Sequence, residues 1–282
     1  MQNWILYTLI YALFTGFFQC ARKKAVEKNS IYEVLAIFST ISFILVSLTS
    51  KDVFNIGFTP LMIIFTKSII IVISWILSLY AIQKMPISLY SIINLSRIVF
   101  SIMLSVIFLG EQLTTLLIIG AIIIILGLFL VNKVSNVENE KETSLKVVLI
   151  LLISCLFNSV SAIIDKQVLK YITSIQLQFW FLLFLSIFYW CIIIFKNVKI
   201  DFKKTKQNYW ILVAAICLTV GDRFLFKANE FPESKVAIMT LIKQFSVIEG
   251  IILGKIFFNE KNIIKKLLCS LLIIIGIVLT IV

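Results

Sequence analysis

The sequence predicts an all-α membrane protein of ten transmembrane helices, arranged as two inverted repeats of five helices each. First, the 282 residues are 61% hydrophobic and 14% charged, whereas soluble domains are about half apolar and about one-quarter charged. Second, apolar segments of the length that spans a bilayer, about 20 residues, follow one another along the whole chain. Third, landmark residues of the first half recur in the second at the same spacing. The composition alone excludes an ordinary soluble globular protein.

Ten apolar segments are predicted to span the membrane as helices. Prolines and glycines are few, at 3 and 9, and the segments lack the alternating pattern of barrel strands. The predicted spans of the first half are residues 4–21, 31–50, 60–82, 87–109 and 113–132. Those of the second half are residues 147–165, 174–195, 209–228, 234–256 and 263–282. We therefore expect a first repeat at 1–132, a charged connecting loop at 133–146 and a second repeat at 147–282.

The net charge of +12 does not indicate nucleic-acid binding. Most basic residues flank predicted spans, where they would contact anionic lipid headgroups. The chain has no histidine, and its five cysteines lack Cys-x-x-Cys spacing, so we expect neither a metal site nor a cofactor. The sequence contains no recognisable nucleophile–base pair and no phosphate-binding glycine loop, so we do not expect an enzyme.

Each half places a cation inside an apolar segment, eleven residues after a proline. Pro86 precedes Arg97 in the first half, and Pro232 precedes Lys243 in the second. A charge near the bilayer centre costs roughly 2.5–3.5 kcal/mol on insertion scales, so such a residue is a functional-site candidate. Because five is an odd number of spans, the second half must cross the membrane in the opposite sense to the first. Inverted repeats of this kind are frequent in transporters, which bind substrate near the membrane midplane.

Four further landmarks follow the same order in both halves: a proline before the fourth span, a Gly-Glu pair after it, and a glycine late in the fifth. In the first half they are Pro86, Gly110, Glu111 and Gly127. In the second half they are Pro232, Asn259, Glu260 and Gly276, with Asn259 in place of glycine. The pattern resembles the EamA-type branch of the drug/metabolite transporter superfamily, over nearly the whole chain. The resemblance implies two five-helix repeats and a secondary transporter of small metabolites. The second half departs from the family pattern at Asn259, and it also differs from the first half in spacing. The stretch from Lys243 to Glu260 is three residues longer than its counterpart from Arg97 to Glu111.

Polar residues at helical spacing predict which spans face a central pathway. Such stripes occur on the first, fourth, sixth and ninth spans, whereas the fifth and tenth are almost wholly apolar and are expected to be outer helices facing lipid or a partner. The candidate substrate-binding residues are Arg97, Lys243, Asn94, Gln244, Tyr11, Asn158, Thr15 and Ser101. An alternative for individual serines and threonines is a structural bond to their own backbone or to a neighbouring helix.

Arg97 and Lys243 occupy equivalent positions in the two halves, so they are expected to approach each other in the bundle. Two buried cations repel, and an anionic group must offset them. One solution is a structural salt bridge to Asp222 or Glu249. The other is an anionic or zwitterionic substrate, such as an amino acid or an organic anion, because arginine binds carboxylates and phosphates in a bidentate manner.

Candidate coupling or gating residues are Glu249, Asp222, Arg223 and Asp165. If they carry protons, the protein would instead be a proton-coupled exporter of organic cations or drugs. A flippase for a lipid-linked carrier is a further alternative with the same fold. Glu111 and Glu260 are expected to cap helix starts, with gating as the alternative role.

The distribution of lysine and arginine predicts an orientation. Connections after odd-numbered spans carry 17 of these residues and the opposite face carries seven, so the positive-inside rule places both termini outside. The family resemblance implies the reverse, with both termini in the cytoplasm. We expect a multi-pass protein of the bacterial cytoplasmic membrane, whose partners are a small-molecule substrate and the lipid bilayer. The sequence is compatible with either a monomer or a dimer.

Overall fold

The computed structural model describes residues 3–84, 93–94, 96–135, 144–258 and 263–281, and these residues form helices with no strand among them. The first half contains α1 (Asn3–Lys28), α2 (Ile31–Thr49), α3 (Phe58–Lys84), α4 (Ser96–Leu109) and α5 (Thr115–Ser135). The second half contains α6 (Leu145–Val168), α7 (Ser174–Phe195), α8 (Phe202–Gln207), α9 (Tyr209–Glu230), α10 (Val236–Ile242), α11 (Phe245–Phe258) and α12 (Ile263–Ile281).

Seven segments of the described chain are long and apolar enough to cross a bilayer. They are α1, α2, Phe58–Ala81 of α3, α6, α7, Val236–Phe257 and α12. The apolar helices α4 and Thr115–Leu130 of α5 are shorter. The predicted eighth span, α9, has 22 residues and is therefore about 33 Å long, but its last nine residues include Asp222, Arg223, Lys227 and Glu230. The chain is a multi-pass membrane protein, but α9 does not qualify as a span by composition.

The predicted ninth span, residues 234–256, is divided at Lys243 and Gln244 into α10 and α11. The N–H of Gln244 donates to the carbonyl of Leu241 (3.0 Å), and the N–H of Ser246 donates to that of Lys243 (3.1 Å). This three-residue spacing is tighter than that of an α-helix, and such turns inside a helix often mark a hinge. The break was not predicted, because apolar residues continue the helical pattern on both sides.

Helices α5 and α12 pack against each other more extensively than any other pair in the described residues. A Cβ on Gly276 would lie 2.7 Å from the carbonyl oxygen of Gly120 and 2.5 Å from Cγ1 of Ile124, so the two helices meet backbone to backbone. Their other sides expose apolar residues such as Ile122 and Ile275. The two predicted outer helices thus have a side suited to lipid, and each is the other's partner.

The remaining helices form the body of the bundle, in which α1 packs on α9, α3 on α6 and α2 on α7. Polar bonds join these pairs: Ser74 on α3 and Ser154 on α6 each donate to the other's backbone carbonyl, at 2.8 and 2.9 Å. Bonds of this type contribute about 0.6 kcal/mol on average within membranes. These two serines therefore have the structural role that the sequence left open.

The lysine-rich connection 196–208 contains the short helix α8 and is fastened to the end of α1. The buried side chain of Asn208 donates from Nδ2 to the carbonyl of Ala25 (3.0 Å) and to Oδ1 of Asn29 (2.8 Å). The hydroxyl of Thr205 donates to the carboxylate of Glu33. The connection is consequently anchored by buried polar contacts.

Candidate functional site

A cavity of about 130 Å³ lies where helices of both halves meet, and most of its lining side chains come from α1, α3, α6 and α9. Lining side chains predicted from the sequence are Tyr11, Thr15, Asn94, Arg97, Asn158, Asp165, Asp222 and Lys243. Two charges that were not among the candidate site residues also line it, Arg22 and Lys67. The cavity therefore combines four cations with two carboxylates inside an apolar bundle.

Lys67 and Asp165 form a buried ion pair across the two halves, with Nζ 2.5 Å from Oδ1. Lys67 is 1% exposed and Asp165 is 5% exposed. The ammonium group also lies 3.8 Å from the ring centroid of Phe181 and 4.6 Å from that of Phe226. Lys67 is therefore compensated on three sides, and Asp165 holds a fixed cation rather than facing the cavity alone.

Asp222 on α9 is 7% exposed and lines the same cavity. Its carboxylate has no hydrogen bond or ion pair within the part of the chain that the structure describes. The charges of Lys67, Asp165 and Lys243 act on it electrostatically. A buried carboxylate directed into a cavity without a partner is suited to a cationic group on a ligand.

Arg97 and Lys243 both line the cavity, one from each half, as their equivalent positions predicted. Within the described part of the chain, no ion pair joins either cation to Asp222 or Glu249, so the alternative of a structural salt bridge is not formed. The ammonium of Lys243 instead lies 5.2 Å from the ring centroid of Tyr11. Both cations are consequently available to an anionic group in the cavity.

Arg22 lies beside aromatic rings at one end of the cavity. Its guanidinium carbon is 5.1 Å from the ring centroid of Phe18 and 5.6 Å from that of Trp75. Sequence reasoning treated Arg22 as a flanking charge because the first apolar run ends at Ala21, but α1 continues to Lys28. Lys67 had a visible signal, since it is the one charged residue within the predicted third span, 60–82.

The neutral polar residues of the cavity are partly held by local bonds. Thr15 donates to the carbonyl of Tyr11 at 2.9 Å. The amide of Asn158 donates to the hydroxyl of Ser74 (2.5 Å) and to the carbonyl of Ser154 (2.9 Å). Asn94 accepts a bond from the thiol of Cys155 at 3.4 Å. These contacts fix the orientation of the side chains around the charged centre.

Four predicted site residues do not line the cavity. Gln244, in the break after α10, donates to the carbonyl of Thr240 at 2.9 Å, and Ser101 donates to the hydroxyl of Ser159 at 3.1 Å. Arg223 points to the hydroxyl of Thr49 on α2 (3.2 Å). Glu249 is 8% exposed and its carboxylate lies against Gly16 of α1. Each is turned away because its helix presents a different face to the cavity.

The expected capping role of Glu111 is wrong in one respect, because Glu111 does not cap the helix that follows it. Helix α5 begins after Thr114, whose hydroxyl accepts the N–H of Leu117 at 3.2 Å. Glu111 instead accepts backbone N–H groups at the start of α10, in the other half. Its counterpart Glu260 lies outside the described residues, as do Pro86 and Asn259.

The sequence matches the EamA-like transporter family twice, over residues 2–133 and 145–282. The chain belongs to this family. The EamA-like proteins are transporters rather than enzymes, and the drug/metabolite transporter pattern found in the sequence agrees with that assignment. No curated protein matches the chain.

Twenty-seven chains of solved structures resemble this EamA-like transporter. One of them, described as the crystal structure of a protein, superposes with a TM-score of 0.78 over 99% of this chain and 96% of its own. The two sequences are 13% identical. That similarity establishes the shared fold, and the chemistry of the site must be argued from this chain.

Proposed function

We propose that this EamA-like transporter is a secondary active transporter that moves a small zwitterionic or anionic metabolite across the bacterial cytoplasmic membrane by alternating access. The observation that carries the proposal is a central cavity containing unpaired charges of both signs. Asp222 can bind an ammonium group, while Arg97 and Lys243 can bind a carboxylate. A free amino acid carries both groups on one carbon atom, so it fits this arrangement.

The charge balance favours a zwitterion or an anion over an organic cation. The charges of Arg97, Lys67, Asp165 and Asp222 act on Lys243, and those of Lys67, Asp165 and Lys243 act on Asp222. The four cations and two carboxylates of the cavity leave an excess of positive charge, which an anionic group would offset. Arginine adds bidentate geometry for a carboxylate, with charge-assisted bonds about twice as strong as neutral ones.

The size of the cavity favours a small metabolite over a lipid-linked carrier. A protein cavity of about 150 Å³ accommodates a benzene-sized molecule, and the volume here is about 130 Å³. A ligand of comparable size fits without rearrangement. A flippase would require a wider apolar groove that opens sideways to lipid.

The pairing of the helices supports ten spans in two inverted repeats, over residues 1–132 and 147–282 with a connecting loop at 133–146. The first helix of the first half, α1, packs on α9, the third predicted span of the second half. Reciprocally, α3 packs on α6, the first helix of the second half. A twofold axis between the halves produces such an exchange. The cavity between them is then the site of alternating access, and the turn at Lys243 is suited to act as a hinge.

A coupling ion would need a separate site, since Asp165 is paired with Lys67. We keep Glu249 as the candidate for proton coupling, because its buried carboxylate oxygens have no hydrogen-bond partner among the described residues. Asp222 remains the candidate contact for the substrate.

The test is thermal unfolding of the detergent-purified protein with sets of three compounds that share one carbon skeleton. One set is L-leucine, 3-methylbutylamine and 4-methylpentanoate; another is L-phenylalanine, phenethylamine and 3-phenylpropanoate. A ligand at 100 times its dissociation constant stabilises by about 2.7 kcal/mol. We expect stabilisation by a zwitterion, lost in both Arg97→Gln and Asp222→Asn.

The control is Arg223→Gln, the same substitution at an arginine outside the cavity, which should retain the stabilisation. Stabilisation by the acid alone, insensitive to Asp222→Asn, would indicate a purely anionic substrate. Stabilisation by the amine alone would contradict the proposal and favour the exporter of organic cations.

A further inference from the structure

The turn after α4 places the carboxylate of Glu111, a residue of the first half, against the second half. Gly110 ends α4 with a φ of +67°, and its N–H donates to the carbonyl of Val106 at 3.2 Å. Glycine adopts this left-handed conformation without the steric cost that a side chain brings. The chain therefore leaves the helix abruptly, and the next residue, Glu111, projects towards the start of α10.

Glu111 binds two backbone N–H groups of the other half. Its Oε1 accepts from the N–H of Val236 at 2.5 Å, and its Oε2 accepts from that of Ala237 at 3.0 Å. The residue before α10, Lys235, provides no side-chain cap. The first N–H groups of a helix have no acceptor within the helix. A residue of the first half thus completes the start of a helix in the second half.

The chain between α9 and α10 is held rigidly by a buried lysine of α6. The ammonium of Lys166 donates to the carbonyls of Asn229 (3.1 Å) and Phe231 (2.5 Å) and to the hydroxyl of Ser234 (2.6 Å). All of these residues belong to the second half, so this connection moves with it. The bonds of Glu111, in contrast, cross between the halves.

The segment held in this way forms one end of the central cavity, because Asn229 and Val236 both line it. We propose that Glu111 and the start of α10 form a latch that keeps this end of the cavity closed. The inference rests on the proposed transport function, in which each end must open in turn. Opening this end separates the halves here and breaks both bonds of Glu111.

Cys217 offers a direct test because it lines the cavity. In a protein whose other cysteines are replaced by alanine, Cys217 is labelled with the membrane-impermeant reagent MTSET in intact cells and in inverted membrane vesicles. The replaced residues are Cys20, Cys155, Cys191 and Cys269. A companion variant with Lys170→Cys, at an exposed position of the same end, identifies the face that carries Glu111.

For Glu111→Gln we expect the labelling rate of Cys217 to rise about tenfold or more from the face of Glu111 and to fall from the opposite face. Charge-assisted hydrogen bonds of this kind shift an equilibrium by about tenfold to a hundredfold. Glu111→Asp keeps the charge on a shorter side chain, and a smaller change in the same direction is expected. If Glu111→Gln does not fold, the labelling rate of Glu111→Asp still tests the latch.

Glu230→Gln is the matched control. Glu230 also accepts a backbone N–H at a helix start, that of Ser174 on α7, but both residues belong to the second half. This variant should leave the labelling of both faces unchanged. Unchanged labelling in both Glu111 variants would overturn the latch, and so would an increase from both faces, which indicates general loosening. Neither result affects the proposed substrate site, whose ligand stabilisation through Arg97 and Asp222 is measured independently.

Discussion

Lys67 and Asp165 form a buried ion pair, and removal of Lys67 should destabilise the protein more than removal of Asp165. At 2.5 Å, their attraction is about 7 kcal/mol at an effective dielectric constant near 20, and desolvation offsets much of it. Removing one partner of such a pair costs about 3–5 kcal/mol, because it leaves a buried charge uncompensated. Lys67→Met should reach the upper part of this range, since it leaves Asp165 beside the carboxylate of Asp222 and also removes the contacts with Phe181 and Phe226.

Asp165→Asn should cost less, because the remaining ammonium keeps its two aromatic contacts, each of which is worth about 2 kcal/mol when desolvated. The double variant Lys67→Met, Asp165→Asn leaves neither charge unpaired and should recover most of the loss. The assay is thermal unfolding in detergent, followed by tryptophan fluorescence. At about 2–4 °C per kcal/mol, Lys67→Met should lower Tm by about 8–20 °C. A double variant as unstable as the sum of the single ones would refute the reasoning.

Two further predictions concern packing. Gly276→Ala forces a Cβ against the backbone of Gly120 and should destabilise the protein by about 1–3 kcal/mol. The control is Gly250→Ala, whose Cβ would meet nothing within 4 Å and should not lower Tm. Equal losses of Tm in the two variants would contradict the close approach of α5 and α12. Asn208→Ala leaves the buried Oδ1 of Asn29 unpaired, whereas the carbonyl of Ala25 still accepts the N–H of Asn29. The substitution should speed trypsin cleavage within 196–208 about fivefold to a hundredfold, as expected for a loss of about 1–3 kcal/mol; unchanged cleavage would show that other contacts anchor the connection.

The sequence was sufficient for the helical membrane architecture, because span length and composition depend on the bilayer rather than on tertiary contacts. It also identified Arg97 and Lys243 as candidates for the interior of the bundle, since a charge within an apolar span almost always faces the interior rather than lipid. The break between α10 and α11 had no local signal in the sequence.

The contacts of the charged side chains were harder to predict from the sequence than the positions of these residues along the spans. Asp165 was grouped with possible coupling residues, yet it pairs with Lys67 from a helix about 100 residues away in the chain. Neither Lys67 nor Arg22 was among the candidate site residues, although both line the cavity. Helical periodicity gives the face of a residue on its own helix, but the opposing helix decides what that face contacts.

The most direct measurement is transport in proteoliposomes of the zwitterion that stabilises the purified protein. Vesicles loaded with the unlabelled compound are diluted into a trace of the labelled one. The account predicts rapid counterflow in the wild-type protein and in Arg223→Gln, and background rates in Arg97→Gln and Asp222→Asn. Counterflow at wild-type rates in both cavity variants would contradict the central claim that these charges bind the transported substrate.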